Sequence, residues 1–140
     1  MPIPPPPRPP VLGLLDRAVR IYGEVMVAAM RRRGIDHSFA HSRVMGAIPD
    51  GGIRLTDLAD RLGITKQATG QLVDDLVATG DLERRPDPSD GRAKLIDFGP
   101  RSGDLSHAYE ALQEVESAMA EHIGSDGVEQ LRGLLLRLMR

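Results

Sequence analysis

The 140-residue sequence predicts a mainly α-helical fold with a small β-hairpin wing: a winged helix-turn-helix lobe flanked by N- and C-terminal dimerisation helices. Three observations carry this reading. Two short amphipathic segments meet through Gly63-Ile64-Thr65, a joint so tight that the two helices must cross steeply. Two strand-like runs follow at once, separated by six turn-forming residues. At both ends of the chain apolar residues recur every three or four positions in narrow stripes, more like a helix-packing seam than a broad globular face.

The elements follow in order. Residues 1–10 hold Pro2-Ile3-Pro4-Pro5-Pro6-Pro7-Arg8-Pro9-Pro10, where proline fixes φ and removes the donors a helix needs; a disordered extended arm is expected, in preference to a PxxP-type ligand. Residues 11–140 then form a single domain, with the lobe at 38–100 and the dimerisation helices at 11–34 and 102–140. From Val11 to Arg33, Leu15, Val19, Tyr22, Met26 and Ala29 share one helical stripe, and Gly34 ends it. Ser38 caps a second helix through Phe39, Val44, Met45 and Ile48, stopped by Pro49-Asp50-Gly51-Gly52. Thr56 is expected to cap a third, with Leu58, Ala59 and Leu62 inward and Gly63 as its stop.

Thr65 caps the segment from Lys66 to Thr79, whose buried side is Ala68, Leu72, Val73, Leu76 and Val77, with Gly80 just past its end. Leu82–Arg85 and Arg92–Phe98 can pair as strands around Pro86-Asp87-Pro88-Ser89-Asp90-Gly91. Ser102 is expected to cap a long helix carrying Leu105, Ala108, Leu112, Val115 and Met119. Asp126 and Glu129 then make a capping-box-like pair ahead of Val128, Leu131, Leu135 and Leu138.

Composition narrows the function. Without cysteine there is no disulfide framework, no Cys-ligated zinc and no thiol sensing, which suits a reducing, cytoplasmic setting. Charges interrupt every apolar stretch well short of the ~20 residues a bilayer needs, so no membrane association is expected. The formal charge of −2 hides an asymmetry: residues 8–33 carry six arginines against two acids, and residues 102–140 carry three arginines against seven acids. No nucleophile with a partner base, phosphate-cradling glycine loop or paired carboxylate constellation appears, so no enzyme activity and no cofactor are expected.

A helix-turn-helix sets its second helix into a major groove, where the exposed N-terminal residues meet base edges. Here those are Thr65, Lys66, Gln67, Gly70 and Gln71. The two glutamines offer the donor and acceptor that adenine requires, Lys66 reaches guanine or phosphate, and Gly70 allows close backbone approach. Arg92 and Lys94 flank the hairpin tip, placed for an adjacent minor groove or its phosphates, and Arg84 and Arg85 add positive charge at its base. Asp74 and Asp75 oppose phosphate, and Asp75 is expected to turn toward Arg84 or Arg85.

The residues 55–68 (Leu55-Thr56-Asp57-Leu58-Ala59-Asp60-Arg61-Leu62-Gly63-Ile64-Thr65-Lys66-Gln67-Ala68), then Leu72-Val73-Asp74-Asp75-Leu76, then Gly80-Asp81-Leu82-Glu83-Arg84-Arg85 and Pro86-Asp87-Pro88-Ser89-Asp90-Gly91-Arg92-Ala93-Lys94-Leu95, resemble the MarR family of bacterial transcription regulators. The likeness runs from Val11 onward and is most specific at Asp87-Pro88-Ser89-Asp90-Gly91-Arg92, where the family usually reads Asp-Pro-x-Asp-Arg-Arg. It implies a homodimeric winged-helix protein that binds a near-palindromic operator in double-stranded DNA, commonly represses transcription and is released by a small-molecule effector. Gly91 replaces one wing arginine and Gln71 stands where a basic residue is frequent, so weaker or differently specific DNA binding is expected. In the family, effectors lodge between the dimerisation helices and the lobe, which makes Tyr22, Met26, Phe39, Arg43 and Met45 candidates here. Some relatives sense zinc; His37 and His41 have ligand spacing, with only His107 or His122 as distant third partners, and no metal is expected. The alternative is a winged-helix protein-interaction module with weak or no DNA binding.

Overall fold

The computed structural model describes residues 1–5, 7–102 and 106–140. The element order is α1 (Val11–Arg32), α2 (Phe39–Ala47), α3 (Leu55–Leu62), α4 (Lys66–Thr79), β1 (Leu82–Asp87), β2 (Asp90–Phe98) and α5 (Ser106–Leu138). The arm before α1 has no helix or strand among its described residues. Two compact units result, one of residues 35–107 and one of residues 1–34 with 108–140.

The first unit is the lobe. Its core is Val44, Ile48, Ile53, Leu58, Leu62, Val73, Leu76, Leu82 and Ile96, drawn from every element between α2 and β2. Ser38 caps α2 by accepting from the His41 N–H at 3.2 Å, and Thr65 caps α4 by accepting from the Ala68 N–H at 3.1 Å. Gly63 ends α3 at φ 67°, a left-handed conformation that only glycine adopts without strain, and Gly80 ends α4 in the same way. Thr56 is not a cap: α3 starts at Leu55, with Arg54 at the cap position and no side-chain cap bond. The cause is tertiary. Ile53 exchanges backbone hydrogen bonds with Ile96 (2.9 and 2.7 Å), which fixes where the chain leaves the sheet and brings Leu55 against the core.

The strands pair antiparallel from Leu82↔Phe98 to Pro86↔Lys94, and then Asp87↔Asp90. They therefore run deeper into the hairpin than the turn-rich hexapeptide suggested, and Pro88-Ser89 alone separates them. Pro86 is tolerated because β1 is an edge strand, while β2 lies between it and Ile53. The register slips between Pro86 and Asp87, so Gly91, Arg92 and Ala93 have no partner on β1 and form a bulge.

In the second unit, α1 buries Gly23, Met26, Ala29 and Met30, while Val11, Leu12, Leu14, Val19 and Ile21 nearer its start are exposed. The end of α1 is tied to α5 by charge. Arg33 donates to Glu114 at 2.5 Å and to Glu110 at 3.2 Å, and Arg32 also donates to Glu114. These two guanidinium groups hold the Glu114 carboxyl below its ordinary range. α5 breaks at Gly124 (φ 74°, ψ 164°), and Arg132 spans the break by donating to Glu116 at 2.7 Å. Asp126 thus stands in the first turn after the break, and the Glu129 carboxylate accepts from Arg132 at 3.3 Å in place of a capping-box bond. The Ser102 hydroxyl donates to the Gly99 carbonyl at 2.6 Å; its expected cap on the next helix, and Leu105, involve residues outside those described.

Candidate nucleic-acid interface

The helix-turn-helix orders the candidate residues of α4 through two local devices. The Thr65 cap satisfies an orphan N–H at the start of α4, and the fully buried Thr69 donates its hydroxyl to the Thr65 carbonyl at 2.8 Å. Leu76 and Val73 anchor the opposite face of α4 in the core. This leaves Thr65, Lys66, Gln67 and Gln71 exposed at the N-terminal end of the helix. Gly70 is half-buried, on the side of α4 next to α3; a Cβ there would meet Leu55 Cδ2 at 3.8 Å.

The cations around α4 and the wing fall into two sets. Arg54 donates twice to Asp87 (2.9 and 2.8 Å), Arg85 twice to Asp97 (3.1 and 3.0 Å), and Arg84 once to Asp74 at 2.6 Å. Lys66, Arg92 and Lys94 are exposed and make no ion pair among the described residues. The second set thus comprises the cation at the head of α4 and two on the wing, at the Gly91-Arg92-Ala93 bulge and just beside it.

Asp75 faces neither arginine. Its carboxylate meets His41 Nε2 at 2.9 Å, and the neighbouring Asp74 takes Arg84. His41 Nδ1 lies 2.6 Å from the Ser38 hydroxyl, and His37 meets Asp81 at 3.3 Å. The two rings, 6.0 Å apart, are therefore each engaged by a different carboxylate. No cluster of three metal-ligating side chains occurs among the described residues. The effector candidates divide between the units: Tyr22 is half-buried and Met26 buried on α1, whereas Phe39 and Met45 are half-buried and Arg43 is exposed on α2. Arg43 donates to the Leu62 carbonyl at 3.3 Å. A cavity of about 380 Å³ at the break in α5 is lined by Gln113, Glu116 and Val128 among others, and by none of these five.

Sequence reasoning missed Arg54 and Asp87, which hold the wing. Asp87 is 8% exposed, and its carboxylate accepts from the Ser89 N–H at 2.9 Å, from the Ser89 hydroxyl at 2.8 Å and from Arg54. The Ser89 bonds, with the Arg54 guanidinium, bring its pKa down to about 2. A depressed carboxylate stabilises the fold above its unfolded value of about 4 and loses that contribution as pH falls through the folded one. Asp87→Asn should therefore lower the melting temperature at neutral pH, and the gap from wild type should close as pH falls from about 4 toward 2. Thermal unfolding across that range checks this, and a gap unchanged at low pH would refute it.

No curated protein sequence matches the chain significantly. Residues 31–93 match the family model described as MarR family. Among solved structures, the chain is similar to the reduced form of MarR from E. coli, with a TM-score of 0.79 and 20% identity over 96% of this chain and 100% of that one. A probable transcriptional regulator from Pseudomonas aeruginosa gives 0.76 at 21% identity, covering 92% and 96% of the two chains. A MarR mutant from E. coli complexed with operator DNA gives 0.72 at 20% identity, covering 94% of each. At such identities the likeness is one of fold, and it extends over the helices on both sides of the matched segment. No helix among the described residues is long and apolar enough to cross a membrane. Over residues 31–93 the chain thus resembles the MarR family model, and it shares the fold of the MarR structures.

Proposed function

We propose that the protein is a dimeric, sequence-specific regulator of transcription that binds a near-palindromic operator, represses from it in the cytoplasm and is released by a small-molecule effector, without catalysis or cofactor. The observation that carries this reading is the placement of its unpaired cations. Among the described residues, Lys66, Arg92 and Lys94 make no ion pair at the head of α4 and on the wing, while Arg54, Arg84 and Arg85 are paired with carboxylates within the lobe. Phosphate contact needs exposed cations that need not first abandon a carboxylate. In this reading Thr65, Lys66, Gln67, Gly70 and Gln71 lie along the major groove, with the glutamines matched to adenine. Arg92 and Lys94 hold the adjacent backbone or minor groove, with Arg84 behind them. The exposed apolar rows of α1 and α5 suit a second copy of the chain, whose two-fold symmetry would set two reading helices one DNA turn apart. Tyr22, Met26, Phe39, Arg43 and Met45 remain the effector candidates.

A solved relative described with operator DNA lends the reading support through its shared fold. Reversing the charge of the wing tests it. Arg92→Glu with Lys94→Glu should weaken binding to duplex DNA and flatten its salt dependence by about 0.9 in the log–log slope for each phosphate no longer neutralised. The pairing of Arg84 with Asp74 favours, as a second reading, a winged-helix module that binds another protein. Such a module would be indifferent to the reversal.

A further inference from the structure

Gly91 lies in the bulge of β2, where glycine normally marks a left-handed residue or a close approach of backbone. Neither applies. Its φ is outside the left-handed region, and a Cβ built on it meets nothing within 4 Å. The fold therefore does not require glycine at this position, although the neighbouring Arg92 side chain is exposed and makes no ion pair among the described residues. A second, independent feature points the same way. Arg84, at the base of the hairpin, is neutralised by Asp74 of α4 at 2.6 Å, with both side chains open to solvent (36% and 66% exposed). The lobe thus forgoes one cation that it has room for and cancels another that it has.

We propose that the lobe is built for weak, readily released DNA contact, with Gly91 and the Asp74–Arg84 pair as the positions that set its affinity. The proposal rests on the DNA-binding reading above. It makes the wing deficient in charge by composition and not by shape, so that adding a cation at 91, or freeing the one at 84, tightens binding without refolding anything. Because phosphate contact is independent of sequence, a mixed-sequence DNA duplex is a sufficient probe.

The experiment compares wild type, Gly91→Arg, Gly91→Ala and Asp74→Asn by fluorescence anisotropy over a salt series, with melting temperatures as the fold control. Gly91→Arg should tighten binding and steepen the salt slope by about 0.9 per phosphate neutralised, so its advantage over wild type grows roughly threefold from about 200 to about 50 mM salt. Asp74→Asn should tighten binding as well, and Gly91→Ala should behave as wild type, which separates charge from backbone stiffening. Unchanged affinity and slope in both Gly91→Arg and Asp74→Asn, with melting temperatures retained, would overturn the proposal. Failure of all four proteins to bind the duplex would overturn the DNA-binding reading itself, and the proposal with it.

Discussion

Replacing Leu134 and Leu138 of α5 with glutamate is expected to turn a dimer into monomers and to weaken DNA binding by about 10²–10⁴-fold, the range over which joining two binding modules raises avidity. Leu134 is 55% exposed and Leu138 70%, and Leu131, Leu136 and Met139 beside them are exposed too. A row of large aliphatic side chains ending a helix is unfavourable against water, and a self-complementary surface on a second copy removes it. Glutamate at either position costs the isolated chain little, since both side chains already face solvent. In a dimer the same carboxylates would be desolvated without partners, an outcome costly enough to prevent association. Sedimentation velocity reads the change in mass, and anisotropy reads the change in DNA affinity. A wild-type protein that sediments as a monomer would defeat this expectation at the outset.

Leu76→Ala is expected to cost about 2–5 kcal/mol, the usual range for truncating a buried leucine to alanine. Leu76 is 1% exposed, on the face of α4 that packs into the lobe core with Leu58, Val73 and Leu82. Its carbonyl also accepts from the Asp81 N–H at 2.9 Å and from the Thr79 hydroxyl at 3.1 Å, where the chain leaves α4 for β1. A cavity there loosens α4 and the hairpin together. Against a total of about 5–15 kcal/mol for a typical domain, the loss is a large share. Urea unfolding should show a lower midpoint. A shift below about 1 kcal/mol would mean that the site collapses around the smaller side chain.

What the sequence disclosed was what local chemistry decides. Ser38 and Thr65 cap their helices, and Gly63 and Gly80 end theirs, because each acts within four residues of itself. Thr56 has the same composition cue and fails because a backbone pairing between Ile53 and Ile96, far apart in the chain, sets where α3 begins. The wing shows the same division. Its turn-forming residues marked a hairpin, but neither the bulge beside Asp87 nor the pairing of Asp87 with Arg54, 33 residues earlier, was visible in them. Nothing near Arg54 distinguishes it from a solvated charge.

The candidate interface was legible to a similar degree. The exposure of Lys66, Gln67 and Gln71 follows from helix periodicity, whereas Arg92 and Lys94 share the strand alternation of buried Ile96 and are exposed because they lie near the hairpin tip. Which cations are paired follows from neither, because pairing is settled by tertiary neighbours: Asp74 takes Arg84, Asp97 takes Arg85, and Asp75 turns to His41. The effector candidates lie on elements of two separate units, which spacing along a single helix does not address.

Binding of the purified protein to fragments from upstream of its own gene, over a salt series and against scrambled DNA of the same length and composition, tests specific contact with DNA. Tight, salt-sensitive binding that prefers the upstream fragment is the predicted result. Equal and weak binding to both DNAs, unaffected by loss of Arg92 and Lys94, would contradict it.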